Sequence, residues 1–112
     1  NILRDIISLL LVDGFITYPE REELKKRTEH LGLSDMQART IEESVREEMG
    51  LPSLGAVEAF ADYTEKILRE KGGSHLAKED RERIRRKQQA LSISDEERMT
   101  IHYYLATALS GA

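Results

Sequence analysis

Glu42-Glu43 and Glu47-Glu48 lie on turns of one helix, a spacing at which paired carboxylates can do acid–base work or hold a divalent cation. Nothing beside them in the sequence points to burial that would shift a carboxyl pKa, so a solvated acidic face is expected. Arg83, Arg86 and Lys87 share one helical face and can contact phosphates, but Glu79, Asp80 and Glu82 dilute that field. No aromatic residue sits among these bases to stack on a nucleotide. Tyr103 and Tyr104 are adjacent, and one of them on the outside of its helix would serve as an interface anchor. His30, His75 and His102 lack HExxH-type spacing, and there is neither a G-x-S-x-G elbow nor a phosphate-cradling glycine loop. With no cysteine, a disulfide frame, a thiolate metal site and a cysteine nucleophile are all excluded. No catalytic constellation emerges, so the expectation is a non-enzymatic chain with no cofactor.

The elements that position these residues are all predicted to be helices. Asp13-Gly-Phe-Ile-Thr-Tyr-Pro-Glu20 is a tight loop running into a capped helix: Gly14 supplies positive φ and Ile16 points inward. Thr17 and Glu20 form a capping box, with Pro19 harmless in the first turn. Before the loop, residues 2–12 are apolar nearly all round, which predicts a central helix buried on several sides. After it comes an amphipathic helix with Leu24, Thr28 and Leu31 inward, ended by Gly32.

Ser34 and Gln37 cap a third helix, with Met36 or Ala38, Ile41, Val45 and Met49 inward. Gly50-Leu-Pro-Ser-Leu-Gly55 stops it and is the one plausible internal linker. A fourth helix runs from about 56 to 71 and ends at Gly72-Gly73; Ser74 and His75 lead into a fifth, about 78–91, carrying Ile84, Gln88 and Leu91 inward. Ser94 and Glu97 cap a sixth, with Ile101, Leu105, Ala108 and Leu109 inward.

Shifting the chain by 60 residues lays Ile16–Val45 on Leu76–Leu105, pairing Arg21 with Arg81, Leu31 with Leu91, Ser34 with Ser94 and Ile41 with Ile101. Agreement in caps and core together is what a duplicated supersecondary unit predicts. The expected fold is therefore all-α: a single helical domain over 1–112, built of two related three-helix units, 1–50 and 56–110, packed together across a 50–55 linker.

The net charge of −4, with 34% charged residues of both signs interspersed, suits a solvated helical surface and disfavours non-specific nucleic-acid binding. The longest apolar run, Ile6 to Val12, falls far short of the roughly 20 residues a membrane span needs. No membrane insertion is expected, and a reducing, cytoplasmic compartment is the simpler expectation. A start at Asn1 rather than Met suits an excised domain or a processed product.

Asp13-Gly-x-Ile16-x-x-x-Glu20 resembles the second half of an EF-hand calcium loop, in which the glutamate closes the site. The first half is missing, since the loop's first and third positions fall on Leu9 and Leu11, and Gly73 and Ser74 replace Asp13 and Gly14 in the second unit. Asp13-Gly14-Phe15-Ile16-Thr17 followed by Leu31-Gly32-Leu33-Ser34 is also similar to the TerB-like bacterial helical domains associated with tellurite resistance. That resemblance covers about residues 2–49 and implies a regulatory, protein-binding or metal-associated module. Asp13 and Glu20 are then its metal candidates.

The function expected is a protein–protein interaction or regulatory module whose partner is another protein. The alternatives are a nucleic-acid-binding face at Arg83, Arg86 and Lys87, and divalent-metal-linked signalling through Asp13 and Glu20. The oligomeric state is left open.

Overall fold

The Asn1 side chain accepts from the amides of Leu3 and Arg4, at 2.9 and 3.4 Å, and so caps the first helix. A computed structural model describes residues 1–72 and 75–111, and the fold is all-α: no strand occurs among the described residues. The helices are α1 (Ile2–Leu10), α2 (Tyr18–His30), α3 (Asp35–Glu48), α4 (Leu54–Glu70), α5 (Lys78–Ala90) and α6 (Asp95–Ser110). The expected end of the fourth helix at Gly73 and the lead-in at Ser74 lie outside the described residues. Among the described residues no helix is long and apolar enough to cross a membrane.

The chain divides into two compact units, Asn1–Leu54 and Gly55–Ala112. In the first, α1 packs against α2 and α3. It is shorter than the apolar run predicted, because Leu11–Asp13 tightens into a 3₁₀ turn. Gly14 closes that turn at φ 94°, donating to the Leu11 carbonyl at 2.9 Å. The core of this unit is Leu3, Ile7 and Leu11 from α1 and the turn, Leu24 from α2 and Val45 from α3, with Ile16 and Ile41 packed against it. Burying each such side chain is worth about 1.5–3 kcal/mol, so the three from the first segment are the main apolar contribution.

That stripe is all that α1 buries. Ile2, Leu9 and Val12 are 64%, 74% and 70% exposed, which corrects the expectation of a helix covered on several sides. The inward stripes predicted elsewhere also end short. Leu31, Met36 and Met49 are exposed, as is Ala108 in α6, while Leu24, Thr28, Val45, Ile84, Gln88 and Ile101 are buried.

α2 and α5 start and end 60 residues apart, as do the starts of α3 and α6 and the ends of α1 and α4. The corner before α3 is made by Leu33 N–H donating to Thr28 O at 3.1 Å and Gly32 N–H to Glu29 O at 3.0 Å. Before α6 the same two bonds run from Ile93 to Gln88 and from Ser92 to Gln89, at 3.0 and 3.2 Å. The cap serines match too: Ser34 Oγ accepts from Gln37 N–H, and Ser94 Oγ from Glu97 N–H, both at 3.1 Å. At α5 only half the box survives, because Ala77 has no side-chain oxygen; Asp80 accepts from the Ala77 N–H at 3.1 Å.

One difference is conformational. Gly32 sits at φ 72°, while its counterpart Ser92 is the one described non-glycine residue with positive φ, at 59°. A Cβ at position 32 meets nothing within 4 Å, so any penalty there is backbone alone. Gly32→Ala should lower stability by about 1 kcal/mol and Ser92→Gly should raise it by a fraction of that. Urea unfolding of both variants, with an unchanged m-value, checks the pair.

Candidate functional site

Glu20, one of the two metal candidates, is engaged in its own helix start. Its Oε1 accepts from the Thr17 amide and hydroxyl, both at 2.9 Å, as the capping box requires. Asp13 is exposed in the turn. Among the described residues no three His, Cys, Asp or Glu side chains come together as a cation site would need.

The basic face of α5 is likewise partly engaged. Arg83 lies within reach of the Asp80 carboxylate, at 3.5 Å, and Tyr63 of α4, then the charges of Glu70 and Asp80, favour its protonated form. The Lys87 ammonium sits 5.4 Å from the centre of the Tyr63 ring, a cation–π distance. Of the three only Arg86 is exposed, while Arg83 and Lys87 are half-buried. Tyr103 is 74% exposed on α6 and Tyr104 44%, so both reach the surface of the second unit.

The acidic face of α3 is not uniformly solvated, which corrects a second expectation. Glu42 is 2% exposed and is held by two guanidinium groups. Arg21 of α2 binds it through both terminal nitrogens, Nη1 to Oε1 at 2.5 Å and Nη2 to Oε2 at 3.1 Å. Arg46, one turn on and 1% exposed, donates Nε–H to Oε2 at 2.8 Å. Burial by itself would push the Glu42 carboxyl up; the hydrogen bonds and charge of Arg21, then of Arg46, outweigh it and hold the carboxyl below its ordinary value.

Arg46 also donates Nη1–H to the Pro52 carbonyl at 3.1 Å, and its Nη2 has no partner among the described residues. Glu43 accepts from the Leu54 amide at 2.6 Å. Glu48 is exposed and pairs with Arg4. Glu42, Glu43 and Glu48 thus each serve structure in a different way. Sequence reasoning missed Arg21 and Arg46 because a Glu–Arg pair four apart on a helix is the usual mark of an exposed face. A signal existed: Glu42 falls on the same stripe as Ala38 and Val45.

The second unit lacks this cluster. Positions 42 and 46 correspond to His102 and Ala106, and Arg81, matching Arg21, donates instead to the Leu76 carbonyl at 3.1 Å. Burial, then the Arg98 charge, pulls the His102 imidazole below its ordinary value.

A different surface has the shape of a binding site. Two adjoining hollows, about 360 and 270 Å³, lie between α1 and α2 and share Ile6, Glu23 and Arg27. Ile2, Ile6 and Leu9 line them at i, i+4, i+7 spacing, with Leu10 and Leu31 adding apolar surface. Glu20, Glu23, Lys26, Arg27 and His30 of α2 form the wall, with acidic and basic groups in equal number when His30 is neutral. On α4 the positions matching Ile2, Ile6 and Leu9 are Asp62, Lys66 and Arg69, all exposed. The same place in the repeat is therefore satisfied by charged residues, and the fold does not demand an apolar surface there.

Comparison with family models, with curated proteins and with solved structures gave no match.

Removing the carboxylate of Glu42 leaves Arg46 buried without its counter-charge, a loss of about 3–5 kcal/mol. Glu42→Gln should show this in urea unfolding, while Glu42→Leu with Arg46→Met should regain much of it. The pH dependence follows from the same pair. Because the folded-state pKa of Glu42 is depressed, its contribution is fully present above about pH 4.3, the unfolded value, and is lost as pH falls through the folded one. Wild-type stability should therefore fall on acidification through that range more steeply than that of Glu42→Gln, measured by thermal melts from neutral pH downward.

Proposed function

We propose that this chain is a protein-interaction module and that its working surface is the apolar face of α1 beside α2. One observation carries the proposal: Ile2 and Leu9 are exposed on either side of the half-buried Ile6, where the repeated positions in the second unit carry Asp62, Lys66 and Arg69. Exposed apolar residues at helical spacing, gathered around a groove and rimmed by charge, are the usual signature of a partner site. The TerB-like resemblance of the Asp13–Thr17 and Leu31–Ser34 motifs agrees with a regulatory binding module in a bacterial cytoplasm. Two other readings have weaker support. For nucleic acid, Arg83 and Lys87 are already engaged by Asp80 and Tyr63. For metal, Glu20 is already engaged by Thr17.

Ile2 and Leu9 are mostly exposed, so replacing them should leave the fold intact. Proteins captured by the wild-type chain from a bacterial lysate should be lost with Ile2→Asp/Leu9→Asp while the melting temperature stays within a few degrees. Capture that is unchanged in the double variant, or abolished by nuclease or by chelator in the wild type, would overturn the proposal.

A further inference from the structure

We infer that the outer face of α6 is a second docking surface, and that it takes an extended segment of a partner protein bearing a proline and, two residues on, a leucine. This surface is separate from the α1 face, and the repeat is what identifies its occupant. In the first unit α3 is a seat for the chain that follows it. Gly50, at φ 69°, turns the backbone there. Arg46 then donates to the Pro52 carbonyl at 3.1 Å, and Glu43, three residues back along the helix, accepts from the Leu54 amide at 2.6 Å. The Leu54 side chain, 8% exposed, faces the same hollow as Ala38, Arg39 and Glu42. The seat therefore holds main chain at two points and covers one leucine.

In the second unit the matching seat is open. A hollow of about 510 Å³ on α6 has in its lining Arg98, Met99, His102, Tyr103 and Ala106, which take the places of Ala38, Arg39, Glu42, Glu43 and Arg46. Ser110 stands where Gly50 turns the chain and is still helical, so the turn is not made there. Met99 and Tyr103 are left 52% and 74% exposed.

The side chains of this seat decide what fits it. Met99 and Ala106 put apolar surface where Arg39 and Arg46 carry charge, and burial, then the Arg98 charge, keeps the His102 imidazole neutral at pH 7 where Glu42 is an anion. Such a surface holds a leucine by apolar contact. Two polar atoms remain for the occupant's main chain. Arg98 Nε is buried with no partner among the described residues, although Arg98 Nη2 lies 3.9 Å from Asp95, and a backbone carbonyl would satisfy it. The Tyr103 hydroxyl stands in the place of Glu43 and is able to accept from a backbone amide. A helix has its backbone groups paired internally and meets neither atom, whereas an extended segment meets both. Proline sets that conformation in advance and so lowers the entropy lost on docking. A second copy of the chain has its own Pro52 and Leu54 fastened to α3.

The test uses an acetylated and amidated octapeptide with Leu-Pro-Ser-Leu at its centre, the order of residues 51–54, and a control in which the second leucine is aspartate. Fluorescence anisotropy with the full chain should show the leucine peptide binding at least tenfold more tightly than the control. Met99→Asp should abolish binding and Tyr103→Ala should weaken it about tenfold, while Ile2→Asp/Leu9→Asp should leave it unchanged. All four positions are exposed, and thermal melts confirm that the variants fold. No binding of the leucine peptide overturns the inference, as does equal binding of the two peptides or binding indifferent to both α6 variants. Loss of binding in Ile2→Asp/Leu9→Asp overturns it too, because the peptide then lies on the α1 face. So does sedimentation equilibrium showing self-association that Met99→Asp removes, because the occupant is then a second copy.

Discussion

One carboxylate, buried between two guanidinium groups, ties the first unit together. Taking Glu42 out of water is unfavourable unless its oxygens are fully engaged, and Arg21 and Arg46 engage both. The consequence is geometric as much as energetic. Arg21 brings α2 to α3 with the planar two-point match a guanidinium makes to a carboxylate. Arg46 carries the connection on to Pro52, beyond the end of α3. α2 contributes only Leu24 and Thr28 to the buried set, so it depends on this polar bond for its placement more than α1 does. The second unit shows that the topology has another solution. With His102 and Ala106 in the matching places, it leans on Ile84, Ile93 and Ile101, and on Gln88, whose Nε2 donates to Ile93 O and Asp95 Oδ1 at 2.9 and 2.8 Å.

Much of the architecture was legible because it is written locally. Capping boxes at Thr17 and Ser34, the glycines at 14 and 32, and the stop at Gly50-Leu-Pro each act within a few residues, and all three boundaries follow from them. The 60-residue repeat was legible because identities at the corner before α3 and α6 (Leu31/Leu91, Ser34/Ser94, Asp35/Asp95) join others inside the helices (Arg21/Arg81, Thr40/Thr100, Ile41/Ile101). Burial is a different kind of property. Whether Glu42 faces water or protein depends on what α2 brings to it, and whether Leu9 is covered depends on what packs against α1; neither partner is adjacent in sequence. Hydrophobic spacing alone placed Leu9 inside and Glu42 outside, and both were reversed, while of the two inward candidates at the start of α3 it is Ala38 that packs on the core and Met36 that is exposed. The candidate site was hidden by the same limit, because an exposed apolar stripe and a buried one read alike along the chain.

The α1 face is a concession within an otherwise well-solvated molecule. Large apolar side chains left in water add nothing to folding and raise the risk of association, which is why α4 places Asp62, Lys66 and Arg69 at the matching positions. In a duplicated fold the two halves act as controls for each other: what they share is required by the helices and their corners, and what they do not share is free to serve something else. The shared features here are the caps, the turns and the Leu24/Ile84 and Ile41/Ile101 positions. Unshared, besides the half box at Ala77 and Ser92 in place of Gly32, are the Glu42 cluster and the α1 stripe, both in the first unit.

The segment 50–54 has the composition of a tether, with glycine, proline and serine in close order, yet its backbone is fastened. Leu51 N–H donates to the Arg46 carbonyl at 2.9 Å, the Pro52 carbonyl accepts from Arg46, and the Leu54 amide is held by Glu43. A protease works on chain that can be drawn out into an extended strand, and this stretch must first give up those three bonds. It will therefore resist nicking as part of the first unit, and a truncation cut at Gly50 by composition alone would remove Leu51 and Leu54 from the unit they help to close.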